Sequence, residues 1–80
     1  MRVKKEKLVV AFHTTADAMK MEEECKKAGI EGRLIPVPRE ISAGCGMAWS
    51  SETDQRQALE ELMADHRIDC QEMRICLLWA

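Results

Sequence analysis

Eighty residues allow one small domain, because a chain this short buries only roughly 60–65% of the surface its unfolded form exposes. Its 12 basic and 14 acidic side chains, a formal net charge of −2, mix along the chain and leave no field to gather nucleic acid or anionic lipid. The longest apolar run, Ile75 to Ala80, falls far short of the ~20 residues of a membrane span, and the short run Leu8 to Phe12 leads into a charged helix where a secretory cleavage site would stand.

Lys7 to Phe12 is short, β-branched and apolar on both faces, the pattern of a buried strand. Thr14 and Thr15 offer capping hydroxyls to a first helix, in which Ala18, Met21, Cys25 and Ala28 recur on one face and which Gly29 stops. Gly32 to Val37 reads as a second strand; Pro36 and Pro38 lack ladder donors and favour an edge position or the strand's end. Gly46 to Ser50 is a short third strand. Ser51 with Asp54, or Thr53, caps a second helix with the stripe Ala58, Leu59, Leu62 and Met63, closing near Arg67. Cys70 to Trp79 is the last strand. The six methionines read as core filler, and both tryptophans as packing groups.

The order βαββαβ predicts a single α+β domain over residues 1–80: a ferredoxin-like four-stranded antiparallel sheet with two helices on one face. In that topology the first and second strands run parallel with the third between them. The end of strand one, the start of helix one, the loop joining strands two and three and the end of helix two then share one edge of the sheet. His13, Thr14, Thr15, Arg39, Cys45 and His66 are expected there. Strands one and four carry apolar residues on both faces, so a partner is expected to cover the outer one, making a homodimer or larger homo-oligomer.

Cys25, Cys45, Cys70 and Cys76 are separated by 20, 25 and 6 residues, with no Cys-x-x-Cys and no Cys/His pair at a zinc spacing, so neither a metal nor another cofactor is expected. Without a secreted context the thiols are read as reduced, in a cytoplasm. Cys45 stands apart, because Gly44 and Gly46 flank it in the run PREISAGCGMAW. Glycines permit positive φ and let successive amides converge on an anion. A helix N-terminus or a neighbouring cation lowers a thiol pKa, so Thr14 at the helix start, Arg39, His13 and the Ser42 hydroxyl are the candidate supports for a Cys45 thiolate. The competing reading of the same loop is a tight bend around a buried thiol. Cys25, on the apolar helix face, and Cys70 and Cys76 are read as packing groups, and His66 as a favourable charge at a helix C-terminus.

The run FHTTADAM and the stretch AGIEGRLIPVPREISAGCGMAW resemble the selenium/sulfur carrier-like proteins, a family of small bacterial domains. The likeness runs from strand one to Trp49, and its specific part is Pro38, Arg39, Glu40, Ile41, Ser42, Cys45 and Gly46. The resemblance implies a carrier rather than an independent catalyst. Cys45 would hold the chalcogen as a persulfide or selenenylsulfide, and unidentified proteins would serve as donor and acceptor. A non-catalytic module binding a small ligand or a protein is the alternative function.

Overall fold

The computed structural model describes residues 3–41 and 46–79, the last by its backbone alone. The elements are β1 (Lys4–Ala11), α1 (Thr15–Ala28), β2 (Gly32–Pro36), β3 (Met47–Ser51), a 3-10 turn (Thr53–Gln55), α2 (Arg56–His66) and β4 (Glu72–Trp79). They form one four-stranded sheet in the order β2-β3-β1-β4, with each neighbouring pair antiparallel. This is the ferredoxin-like arrangement expected from the element order, with β3 between the parallel β1 and β2. Pro36 lies in an edge strand, where its missing N–H costs no ladder bond.

Boundaries move where pairing overrides local pattern. The first strand begins at Lys4 rather than Lys7, because Lys4, Lys5 and Glu6 pair with Trp79, Leu78 and Leu77 of β4. Phe12 falls just beyond that strand yet is fully buried. β3 runs to Ser51, whose Oγ donates to the Glu31 carbonyl at 2.6 Å, so Ser51 does not cap the second helix. Nor does Thr53, which starts the 3-10 turn; α2 follows with Gln55 at its N-cap and no side-chain cap bond. Cys70 precedes β4, which starts at Glu72.

α1 begins as expected. Thr14 Oγ1 accepts from the Asp17 N–H at 3.2 Å and donates to Asp17 Oδ2 at 2.9 Å, satisfying one orphan donor of the first turn. At the other end the Ile30 N–H donates to Cys25 and the Gly29 N–H to Lys26, the paired bonds of a Schellman motif. α2 closes on Arg67 at φ 54°, with the Ile68 N–H donating to Met63.

The helices share one face. Ala18, Met21 and Cys25 of α1 and Leu59, Leu62 and Met63 of α2 pack on Leu8, Val10, Phe12 and Trp49. Of the described methionines, Met19 is the exception to the core role, at 60% exposure. Trp49 is 1% exposed and its Nε1 has no hydrogen-bond partner among the described residues. Burying an aromatic ring of 150–250 Å² contributes about 4–6 kcal/mol, which exceeds the roughly 1–3 kcal/mol cost of an unpaired buried donor.

The Trp49 ring rests on Gly32. A Cβ at that glycine would lie 2.5 Å from the ring and 2.6 Å from the Ser50 carbonyl. Gly32→Ala is therefore expected to destabilise the fold by about 1–3 kcal/mol through overpacking. Urea unfolding measures it; a midpoint equal to that of the parent chain would show that the ring moves aside freely.

Candidate functional site

The loop from β2 to β3 holds the Pro-Arg-Glu-Ile motif, and its base is closed by one backbone bond. The Val37 N–H donates to the Gly46 carbonyl at 3.0 Å. Gly46 itself has φ +73°, and a Cβ there would meet nothing within 4 Å, so the backbone angle rather than crowding selects glycine. This agrees with the positive φ expected beside Cys45. Within the loop the Ile41 N–H donates to the Pro38 carbonyl at 3.0 Å, making a turn with Arg39 and Glu40 exposed at its tip.

Ile41 points the other way. It is 3% exposed and packs with Val9, Ala11, Ala48 and Cys76 on the sheet face turned away from the helices. Arg74 Nη1 donates to the Glu40 carbonyl at 3.1 Å and pairs with Glu72 Oε2 at 3.2 Å. Beginning at the β2 edge, the chain thus crosses β3 and β1 to reach β4, three strand spacings or roughly 14 Å. Of the outer-face residues for which a partner is expected, Val9 and Ala11 have no exposure and Cys76 has 5%, with Ala48 beside them at 0%, whereas Leu78 is only half-buried. Sequence reasoning missed Ile41 as their cover. The available signal was an isoleucine inside a polar turn, opposite an apolar sheet face that lacked a layer.

The expected site residues divide three ways. His13 is exposed, directly after buried Phe12 and beside the cap of α1. Thr14 spends its hydroxyl on Asp17, and Arg39 is exposed at the loop turn. Ser42, Gly44 and Cys45 lie outside the described residues. The topology does bring the end of β1, the start of α1, the base of the loop and the approach to β4 to one end of the sheet; the Gln71 N–H, just before β4, donates to the Ala11 carbonyl there at 2.7 Å. His66 departs from that gathering. Its Nε2 is 3.5 Å from Glu24 Oε1, and Glu24 lies ~14 Å along α1 from Thr15 at the helical rise.

The three described cysteines are free thiols, and all are pushed away from ionisation. Burial raises Cys25 to about 11, so near pH 7 its thiolate is about one part in ten thousand. Burial also raises Cys70, with Asp69 and Glu60 adding repulsion. Cys76 is raised by burial and then by the nearby Glu40 carboxylate, against the lowering effect of Arg74. Among the described residues no three His, Cys, Asp or Glu side chains gather as a metal ligand set, and no helix is long and apolar enough to cross a membrane.

The fold and loop define a ferredoxin-like α+β domain in which residues 37–41, after β2, lie over the sheet face turned away from the helices. The chain belongs to the family described as "Putative Se/S carrier protein-like", whose model matches residues 7–74. The match continues past Trp49 through α2 and into β4, further than the motif-bearing half. No curated protein and no solved structure matches the chain.

Native alkylation over a pH series checks both the burial and the cover. Cys25 labelling should rise about tenfold per pH unit until about 11. Because its folded pKa lies above the ordinary 9.0, the buried thiol contributes stability that is complete below pH 9 and lost as pH rises to about 11. At one fixed pH, Ile41→Ala should speed Cys76 labelling at least tenfold and leave Cys25 unchanged. Equal Cys76 rates would mean that Ile41 does not shield it.

Proposed function

We propose that the protein is a carrier of sulfur or selenium and that Cys45 is the atom's attachment point. Membership of the Se/S carrier-like family carries the reading, since the matched segment includes Cys45. The described thiols support it by exclusion: each is held in its protonated form by burial, which suits packing rather than nucleophilic attack. Gly46, at positive φ, bends the backbone beside Cys45, and Gly44 offers the same freedom on its other side. His13 and Arg39 are exposed and supply a proton carrier and a fixed cation for a thiolate, Thr14 orders the helix start, and Ser42 adds a hydroxyl donor.

In loading, the Cys45 thiolate attacks the outer sulfur of a donor persulfide. A new S–S bond forms, the donor's S–S bond breaks, and the donor leaves as a thiolate. Delivery is the same exchange in reverse sense: an acceptor thiolate attacks the outer atom and Cys45 departs as the thiolate, with no net oxidation. Selenium held as a selenenylsulfide follows the same bookkeeping. Donor and acceptor are proteins of the cytoplasm in this reading, and transfer requires neither a metal nor an organic cofactor.

Protein treated with a persulfide donor should gain 32 Da per sulfur, about one atom per chain, at Cys45. Cys45→Ser should abolish that gain while leaving the thermal midpoint within about 2 °C. Persulfide formation undiminished in Cys45→Ser would end the proposal.

We also propose a homo-oligomer. Its support is β4, an edge strand in which Ile75 and Leu77 are 49% and 60% exposed. Sedimentation should show a dimer that Leu77→Lys dissociates; a monomer at high protein concentration would refute it.

A further inference from the structure

The outer sheet face changes character at the rung Arg33, Ser50, Val9 and Arg74. On the side toward the loop Ala11 and Ala48 are buried and pack with Ile41. On the side toward the start of β1 it opens into a cavity of about 340 Å³, within the size range of small-ligand sites. Lys5, Lys7 and Arg33 line it, together with Ser50, Glu52 and Leu78.

These cations converge through strand alternation. Lys5 and Lys7 share the outer face with Val9, Glu6 between them points to the other face, and Arg33 joins from β2 opposite Ser50. A chain whose charges look mixed in sequence therefore gathers three positive side chains on one surface. Two carboxylates also line the cavity, Glu31 and Glu52. Glu52 is committed to Lys7, with which it is hydrogen-bonded and ion-paired. Lys7 first, and the charge of Lys5 in addition, hold Glu52 below the usual carboxylate range. The three cations that line the cavity still outnumber its two carboxylates, leaving an excess of positive charge. Arg33 carries the planar donor fork that matches phosphate and carboxylate oxygens, Ser50 is a nearly buried hydroxyl at 8% exposure, and Leu78 supplies an apolar wall.

We propose that this cavity binds a small organic anion, with Arg33 and Lys5 holding a phosphate or carboxylate group, Ser50 donating to it, and the apolar body lying against Leu78. The site is independent of the carrier reading, since it occupies the opposite end of the sheet from the β2–β3 loop.

Amide NMR titrations with phenyl phosphate and with benzoate, at constant ionic strength, test it and separate the two headgroups. At least one probe should give saturating shifts at Arg33, Ser50 and Ser51. Arg33→Ala and Lys5→Ala should each weaken that affinity at least tenfold, and Glu52→Gln should strengthen it at least threefold by releasing Lys7. Lys20→Ala, an exposed change on α1, should have no effect, and neither should Cys45→Ser, which keeps this test separate from that of the carrier. The same spectra report whether each variant is folded. Failure of both probes to saturate, or an affinity unmoved by Arg33→Ala and Lys5→Ala, overturns the site.

Discussion

A strand whose successive residues are all apolar needs a cover on each side. Leu8 through Phe12 show no exposure, which the helices alone cannot bring about because Val9 and Ala11 point away from them. In a two-layer α+β domain that second face would ordinarily meet water. Here residues 37–41 of the β2–β3 connection supply a partial third layer, and among the described residues the bonds of Val37 to Gly46, Ile41 to Pro38 and Arg74 to Glu40 hold it in place. Ile41 is the side chain that turns this arrangement from a surface loop into part of a core. The position and curvature of the Pro-Arg-Glu-Ile motif follow from that packing requirement.

Much of the fold was legible because local chemistry and tertiary structure agree. The β-branched run to Phe12, the helical spacing of Ala18, Met21 and Cys25, the glycine stop and the two prolines at an edge each carry their physical reason in a few neighbouring residues. Lys4 to Glu6 do not, since polar residues there become a strand only by pairing with β4. Ser51 resembled a helix cap because hydroxyls favour that position, but its partner is the Glu31 carbonyl across the sheet. Val9, Ala11 and Cys76 were legible as apolar residues of the outer face, but the cations Lys5, Lys7 and Arg33 that share it and the cover that Ile41 gives were not. The cluster of Ile41 with Val9, Ala11, Ala48 and Cys76 joins segments far apart in sequence, and no periodicity encodes it. For the candidate site, Thr14 at the helix start and Gly46 at positive φ were readable from residue type. His66 was not, because the packing of one helix on the other directs it to Glu24.

The two ends of the outer face use the same alternation for different ends. β3 contributes Ala48 to the layer under the loop and Ser50 to the cationic cavity, a separation of one strand repeat. Side-chain type alone changes the surface from dry and packed to wet and charged. A small domain has little surface to spare, and an outer sheet face divided in this way leaves room for a charged concavity without opening the hydrophobic centre.

The pairing of β1 with β4 runs from Lys4 with Trp79 to Ala11 with Glu72, joining the first strand to the last. At about 5–20 residues per second, synthesis separates the appearance of these partners by roughly 4–15 s. Throughout that interval the most apolar segment of the nascent polypeptide lacks one of its two neighbours. Completion of the sheet thus waits until β4 has been synthesised, because β1 gains its second neighbour only from that strand.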